Sequence, residues 1–560
     1  MAFTIPNILN DNYRATKGEK KVFDYLKSRL PDDFIVYYNI PVASYYPDFI
    51  IIGKELGIFV LEVKDWKLEN IKRMNNQEFD ILINGNIKTV KNPAIQAREY
   101  ILKIIDMIEK KSLISSANMK LKWGFGVIFS EIKENDFNKI FDLYRIKFCD
   151  LLGWDFVFNK DDLKDNSLVD KIYSKMQGHF GKITLKEKDI DFIRGVIYPE
   201  LIIDWKEDVI KIMDRNQENL AKTLPSGHNI IRGVTGSGKT VVLISRAKFL
   251  STLYPQKKIL FLCYNKSLAH YIFSGVRNFK NIEVHTYHSW CLMELSKNKI
   301  PFKKYDDCKD KDKYFDEYIP SLIIDNIDKI KDRYDFVLID EGQDFSDIWY
   351  KTVIQVINPQ TNSLLIAIDS SQTIYKRKVS WEKLGIDIRG RSRIFRKNYR
   401  NTRQILEKAY DFIKDLDKEG LCVFEDDPVF IEPEYSMREG DPPVVVNFKS
   451  REDELNYLCD SISKSNKSMT NLILCSTHSY EEFVYNYLKK RNIDVSYIDE
   501  NKDANVIIST IHSSKGLEAD NVFIIDYNLV EKYFKEEYKR LLYIAMTRAI
   551  NNLYIFSCDY

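Results

Sequence analysis

The run Gly233-Val234-Thr235-Gly236-Ser237-Gly238-Lys239-Thr240 constrains this chain more than any other stretch. An apolar segment, Asn229 to Ile231, leads into it, and an amphipathic segment from Val241 to Leu250 follows. Strand, glycine-rich loop and helix form the context in which the pattern G-x-x-x-x-G-K-[ST] has physical meaning. Glycines let consecutive N–H groups turn inward around phosphate oxygens, where a Cβ would collide. The helix N-terminus adds its partial positive charge. Lys239 is then expected to reach the β- and γ-phosphates, and the Thr240 hydroxyl to ligate Mg²⁺. The fold class this sets is α/β.

What the nucleotide serves must come from the rest of the chain. Its 560 residues allow about three or four domain-sized cores. The 44% hydrophobic and 30% charged content describes a globular protein, and 15 Pro with 21 Gly leaves little for long flexible linkers. A net charge of +2 supplies no global basic field, so a polyanion would be held by local patches. The eight cysteines form no C-x-x-C pair, which argues against disulfide frameworks, zinc ribbons and cysteine-held clusters. The first residues lack the apolar core of a signal peptide, and runs such as Phe49 to Ile52 are far too short to span a bilayer. These features predict a reduced cytoplasmic protein without a membrane partner.

Toward the N-terminus, Tyr13 to Leu30 has helical spacing. Tyr46-Pro-Asp48-Phe-Ile-Ile-Ile52 and Ile58-Phe-Val-Leu-Glu62-Val-Lys64 read as two strands around a loop bounded by Gly53 and Gly57. If residue 52 pairs with 58, then 50 pairs with 60 and Asp48 faces Glu62. The two-residue period of a strand puts Lys64 on the Glu62 face. Two facing carboxylates are costly without a cation. A divalent ion held by Asp48, Glu62 and a backbone carbonyl would answer that, with Lys64 orienting or deprotonating a water for attack on phosphorus. The first histidine is His179, so the ligands would be oxygens, favouring Mg²⁺ or Mn²⁺ over zinc. An exposed hairpin with salt-bridged ends is the alternative. Gln96 and Tyr100 follow on one face of an expected helix.

Together, Glu19, Asp48, Glu62-x-Lys64 and Gln96 to Tyr100 resemble the nuclease-related domain, NERD, of the PD-(D/E)XK superfamily. The resemblance covers about residues 13 to 130. It implies a restriction-endonuclease-like α/β core that cleaves DNA with Mg²⁺. It further implies Glu19 at the metal, and Gln96 and Tyr100 touching the phosphate or supporting the site. Trp123 to Phe129 reads as another core strand, and the charged, largely helical segment 181–210 as the boundary.

In the second half, Phe336-Val-Leu-Ile-Asp340-Glu341 is a strand of pure hydrophobics ending in two acids. Asp340 would bind Mg²⁺ through its water shell, and Glu341 would polarise the attacking water. Upstream, the Gln217 amide matches both the donor and acceptor edges of adenine. The stretch Asp340-Glu-Gly-Gln-Asp344 is followed in order by Asp369-Ser-Ser-Gln372-Thr-Ile-Tyr375, Asn398-Tyr399-Arg400, Ser509 to Glu518 and Arg540 to Ala549. This ordered set resembles the UvrD/Rep/PcrA-like superfamily-1 helicases. The resemblance implies two RecA-like P-loop domains and ATP as the nucleotide. Gln217 then reads adenine, Tyr399 stacks on it, Gln372 senses the γ-phosphate, Arg400 and Arg548 clamp it, and Glu518 meets the ribose. Tyr264, Asn265, His285, Tyr287, Trp381, Thr510 and His512 become candidate contacts to a DNA strand, with core packing as the alternative for the aromatics.

The sequence departs from that family where Ile368 precedes Asp369 in place of Gly, and where Arg377 replaces an aromatic. Only about 50 residues separate Trp290 from Asp340, and about 110 separate Arg400 from Ser509, too few for full accessory subdomains. The expected organisation is a nuclease domain at 1–180, a helical linker at 181–210, a first RecA-like domain at 211–395 and a second at 396–560. The expected activity is an ATP-dependent DNA translocase or helicase, 3′→5′ by resemblance, fused to a metal-dependent nuclease. Its partner would be DNA, single-stranded or with a single-stranded end. A homo-oligomer or protein partner is not derivable from these residues. The fusion suits DNA processing, whether repair or defence against foreign DNA. Two alternatives stand: an ATP-gated nuclease switch without processive unwinding, and a motor whose N-terminal domain only binds DNA or a partner.

Overall fold

The computed structural model describes residues 1–9, 15–42, 45–83, 85–114, 121–137, 139, 157–198, 202–206, 209–225, 227–307, 310, 313–369, 380–414, 438–466, 469–497, 504–535 and 537–558. For residues 112–114, 202–206, 209–212 and 267 it describes the backbone alone. The chain divides into two units, Met1–Leu224 and Pro225–Tyr560.

The first unit is built on a six-stranded mixed sheet, β1-β2-β3-β4-β8-β9. Its strands are β1 (Phe3–Ile5), β2 (Ile35–Tyr38), β3 (Phe49–Gly53), β4 (Gly57–Lys64), β8 (Trp123–Phe129) and β9 (Val157–Asn159). Strands β5 (Ile71–Met74), β6 (Glu78–Ile83) and β7 (Asn86–Lys91) form a separate antiparallel sheet. The β3–β4 register pairs Ile52 with Ile58 and Ile50 with Val60, as the alternation predicted. Both strands are buried almost throughout, because the sheet is covered on its two faces. The helix Lys17–Arg29 packs Val22, Phe23 and Leu26 into the core with Phe49, Ile51, Phe59 and Leu61. Pro93–Ile114, a second helix, runs after β7 and contacts β4 and β8.

The segment expected to be a helical linker is the helix Glu187–Ile197 followed by an antiparallel hairpin, β10 (Ile202–Lys206) and β11 (Val209–Ile212). Both lie inside the first unit, and so does the helix Arg215–Thr223 that carries Gln217. Buried charges explain why that helix belongs there. Glu218 is fully buried and takes an ion pair from Arg194 at 2.6 Å. Lys222 lies 3.3 Å from the same carboxylate and 3.1 Å from the centre of the Tyr198 ring. Burial works against the charged form of Glu218, but Arg194 and Lys222 outweigh it and hold its pKa below the ordinary value.

The second unit contains two six-stranded parallel sheets. The first runs β14-β13-β15-β16-β12-β17, from β12 (His228–Gly233), β13 (Ile259–Cys263), β14 (Ile282–Thr286), β15 (Phe336–Ile339), β16 (Ser363–Ile368) and β17 (Ser392–Phe395). The second runs β18-β23-β22-β19-β21-β20, from β18 (Val444–Phe448), β19 (Asn471–Cys475), β20 (Val495–Tyr497), β21 (Val506–Thr510), β22 (Ala519–Ile524) and β23 (Ala549–Cys558). Every pairing in both sheets is parallel. Parallel strands need crossovers that cover both faces, so the central strands read as unbroken hydrophobic runs. The residues between Trp290 and Asp340 are not a separate body: Leu295, Ile300, Tyr314, Ile319 and Ile323 pack into the core of the first sheet. Among the described residues, no helix is long and apolar enough to cross a membrane.

Candidate active sites

Each unit places acids and a lysine at a strand end. In the first, Asp48 precedes β3 and Glu62 and Lys64 end β4. The Asp48 N–H donates to Glu62 Oε1 at 3.4 Å, the Val63 N–H donates to Asp48 Oδ2 at 2.8 Å, and Lys64 Nζ donates to Glu62 Oε2 at 2.9 Å. Glu62 is 1% exposed. Burial, with the Glu62 charge second, pushes Asp48 up to about 7. Burial also opposes the Lys64 ammonium, yet Glu62 and Asp48 together raise its pKa above the ordinary value. Gln96 donates to the Tyr100 hydroxyl at 2.7 Å, and Tyr100 lies within the field of Glu62, Lys64 and Asp48.

Glu19 comes from the helix Lys17–Arg29. Its carboxylate accepts from the Thr16 N–H at 2.9 Å while Thr16 Oγ1 accepts from the Glu19 N–H, a reciprocal cap on the helix Lys17–Arg29. It also accepts from the Tyr38 hydroxyl at 2.8 Å. Both of these bonds fall on Oε2, and Glu19 and Asp48 lie together in the field of the Tyr38 hydroxyl, so Glu19 at the metal stands as a proposal. Asp65, which the sequence reading passed over, locks the neighbourhood. It accepts from the Gly18 N–H at 2.7 Å and the Ser130 hydroxyl at 2.5 Å. A Cβ on Gly18 would lie 1.6 Å from Asp65 Oδ1, so this contact requires glycine.

In the second unit, β12 delivers Gly233 and the helix Lys239–Leu253 starts behind Gly238, whose φ of 82° is left-handed. Gly236 has φ 70°, and a Cβ there would meet the Arg400 Cβ at 2.8 Å. Lys239 Nζ donates to the carbonyls of Gly233 (2.9 Å) and Val234 (3.0 Å) and to Asp369 Oδ2 at 3.2 Å. The same Asp369 oxygen accepts from the Thr235 hydroxyl at 2.9 Å. The Ser237 N–H closes the loop on the Val234 carbonyl. Asp340 follows β15 and accepts from the Thr240 hydroxyl at 2.6 Å. Burial, then the Glu341 charge, pushes Asp340 up to about 7. Glu341 has φ 54°, a region that favours glycine, and its carboxylate accepts from Gln343 and lies 3.7 Å from Lys515 Nζ.

The second sheet brings Arg548 to this centre, and Arg400 follows β17 of the first. Arg548 is 1% exposed; its Nε donates to the Ile544 carbonyl at 3.0 Å and its Nη1 to the Leu517 carbonyl at 3.2 Å. Its Nη2 is buried with no hydrogen-bond partner among the described residues. Burial, with Arg400 adding to it, lowers Arg548 to about 10 against the pull of Glu341, Asp369 and Glu518. A buried cation with an unused donor fits an anionic ligand such as a triphosphate. Arg400 and Glu518 are brought together, paired at 2.7 Å. Tyr399 is 37% exposed, and its N–H donates to the Gly236 carbonyl. Gln372 lies outside the described residues. Gln217, 5% exposed, is held in the first unit by its cap, Asp214.

For a metal, both centres offer carboxylate and hydroxyl oxygens, the donor set of a hard divalent cation. Among the described residues, no three His, Cys, Asp or Glu side chains converge closely enough to form a protein-only metal cage. Protein oxygens would supply part of a coordination shell, as suits Mg²⁺, which keeps several waters.

The candidate DNA contacts divide. Trp381 and Tyr287 are each 1% exposed and enclosed in the core of the first sheet, against Tyr350 and Trp349 respectively. Both are corrected to core residues, since neither ring is open to a base. Thr510 is buried too, and its hydroxyl bonds Ser513 at 3.0 Å. Tyr264, half-buried, stacks on Trp349; half-buried His285 lies on the edge strand β14; His512 packs 5.0 Å from Phe534. Asn265 caps the helix Lys266–Val276 and donates to the Lys515 carbonyl at 2.9 Å. Lys515 itself, unremarked in the sequence, crosses from the second sheet to Asp344 at 2.6 Å.

A family model described as the nuclease-related domain matches residues 14–122, and one for the res subunit of type III restriction enzymes matches 203–366. Two models of the UvrD-like helicase C-terminal domain match 394–503 and 505–556. A Mycoplasma capricolum protein named as a DNA helicase II homologue is 34% identical over 97 residues, 16% of this chain and 13% of that protein. A protein of Acanthamoeba polyphaga mimivirus named as an ATP-dependent DNA helicase is 23% identical over 253 residues, 40% of this chain and 34% of its own. The RecBCD subunit RecB of Chlamydia muridarum is 32% identical over 110 residues, 19% of this chain and 10% of its own. The chain thus spans between a tenth and about a third of those relatives. A solved C-terminal domain named as that of a DNA helicase from Lactobacillus plantarum aligns over 29% of this chain and 87% of its own, at 24% identity and a TM-score of 0.23. The chain joins a nuclease-related domain to a UvrD-like helicase region.

Proposed function

We propose that the chain is an ATP-driven DNA translocase or helicase carrying a metal-dependent DNA nuclease. The observation that carries the motor reading is Arg548: a buried guanidinium of the second sheet, with an unused donor, in the field of the acids around Lys239. Hydrolysis spreads negative charge over the γ-phosphate oxygens, and guanidinium groups delivered from a second lobe stabilise it. In this reading the loop N–H groups of 233–240 and Lys239 hold the phosphates, and Tyr399 stacks on adenine. Thr240 and Asp340 hold Mg²⁺, which supplies positive charge at the phosphate oxygens. Glu341 orients and deprotonates the attacking water; Arg400, released from Glu518, joins Arg548. Gln372, Gln217 and Glu518 keep the γ-phosphate, adenine and ribose roles that the resemblance implies, as does the 3′→5′ direction.

At the first centre, Asp48 and Glu62 hold Mg²⁺ or Mn²⁺, which supplies charge to the scissile phosphate. Lys64 positions the attacking water, and Tyr100 with Gln96 braces the group. Tyr264, Asn265, His285 and His512 remain the DNA-strand contacts of this reading. The expected result is ATP turnover stimulated by single-stranded DNA, and cleavage of end-labelled DNA that EDTA stops and Mg²⁺ or Mn²⁺ restores. Turnover indifferent to every nucleic acid would sink the translocase. A second reading, an ATP-gated nuclease switch, draws support from the segment between Trp290 and Asp340, which packs into the first core rather than forming an accessory domain. It predicts that Glu341→Gln, binding ATP without hydrolysing it, still regulates cleavage.

A further inference from the structure

We infer that Asn398 and Asn401 form a buried amide relay that sets Arg548 in place over the phosphate loop. The inference rests on the ATP-hydrolysis reading above and adds two positioning residues to it. Asn398 is 1% exposed and Asn401 fully buried. A buried amide left without partners costs about 1–3 kcal/mol, so the bonds it makes specify geometry rather than decorate it. Asn398 Nδ2 donates to the Thr235 carbonyl and to Asn401 Oδ1, both at 2.8 Å. Asn398 Oδ1 accepts from the N–H groups of Arg400 and Asn401, both at 2.9 Å. All four hydrogen-bonding sites of that amide are used. Asn401 Nδ2 in turn donates to the carbonyls of Thr547 at 3.1 Å and Ala549 at 2.6 Å.

Those two carbonyls flank Arg548 in the chain, and Thr235 is the loop residue whose hydroxyl shares Asp369 with Lys239. The path therefore runs from the phosphate-gripping lysine, through Asp369, Thr235 and two amides, to the carbonyls of the residues before and after Arg548. Its loop end is packed without slack, because a Cβ on Gly236 would lie 3.0 Å from the Asn398 amide. At its far end the guanidinium is aimed by the Ile544 and Leu517 carbonyls, while Asn401 fixes the backbone it hangs from. A displacement near 1 Å of a charge-stabilising group costs on the order of 100-fold in rate, so a relay of this kind acts on the chemical step more than on binding.

The test is a double-mutant cycle on the full chain, measuring ATP turnover together with binding of a fluorescent ATP analogue. Asn401→Ala is expected to lower kcat about 10- to 100-fold with KM within about threefold, and to cost nothing further in an Arg548→Ala background. Asn401→Leu, which keeps the volume and adds no charge, should behave alike and guards against a fold defect in the smaller variant. Losses that multiply with Arg548→Ala, an unchanged kcat, or a loss confined to KM or melting temperature would overturn the relay. A wild type that hydrolyses no ATP would instead overturn the reading it rests on, so the two failures are distinguishable.

Discussion

The two acidic centres share a design and differ in reach. In both, an aspartate lies beside a glutamate at a strand end, and burial with the neighbouring carboxylate pushes the aspartate to about 7. At the first centre the acids and the lysine come from one hairpin: Asp48 and Glu62 are cross-strand neighbours, and Lys64 is two residues further along β4. At the second, the lysine follows β12, the acids follow β15, Asp369 follows β16, Arg400 follows β17, and Arg548 comes with the second sheet. A centre closed within a hairpin is preformed. One gathered across two lobes responds to how those lobes stand, which is what coupling of hydrolysis to movement requires.

That contrast can be broken or sharpened by experiment. The largest effect expected is a clean separation. Lys239→Ala should cut ATP turnover about 100- to 1,000-fold and leave ATP-independent cleavage intact, while Lys64→Ala does the reverse. Loss of both activities in either variant, assayed on one preparation, would deny that the centres are separable. Next comes the lobe-crossing pair. Lys515→Met strands the buried Asp344 carboxylate and should cost about 3–5 kcal/mol in urea unfolding, with Asp344→Leu in the same chain recovering most of it. No recovery in the double variant would mean that the pair is not the source of the loss. The smallest effect is Gly236→Ala. Its left-handed φ and the Arg400 contact at 2.8 Å predict about 1–3 kcal/mol and a lower melting temperature, with the cleavage centre untouched. A variant as stable as wild type would show that the turn under Arg400 has room to yield.

Local chemistry was legible in the sequence and distant chemistry was not. The loop 233–240 and the register that sets Asp48 opposite Glu62 are written in glycine spacing and strand alternation, and β8 spans the expected run Trp123 to Phe129. Asp369, Asn398 and Lys515 owe their importance to partners 130 to 250 residues away, and no local pattern encodes such a partner. For Trp381 and Tyr287 the sequence leaves core packing and strand contact open, because an aromatic bound for the core and one bound for a ligand look alike until burial favours the core. Thr16-x-x-Glu19 at the head of a helix is a capping signature present in the sequence, and the cap engages one oxygen of that carboxylate. In the helices Glu187–Ile197 and Arg215–Thr223, Arg194, Glu218 and Lys222 form a buried charge cluster, which a local charge pattern does not distinguish from a solvated face.

The backbone of Glu341 has one more consequence. A glutamate at φ 54° holds a conformation that glycine adopts freely, at a cost on the order of 1 kcal/mol. Selection for thermal robustness alone would drift this position toward glycine, away from the carboxylate. Its retention would mark a trade between durability and turnover, and a heat-stabilising screen on this protein that ignored activity would be expected to find it.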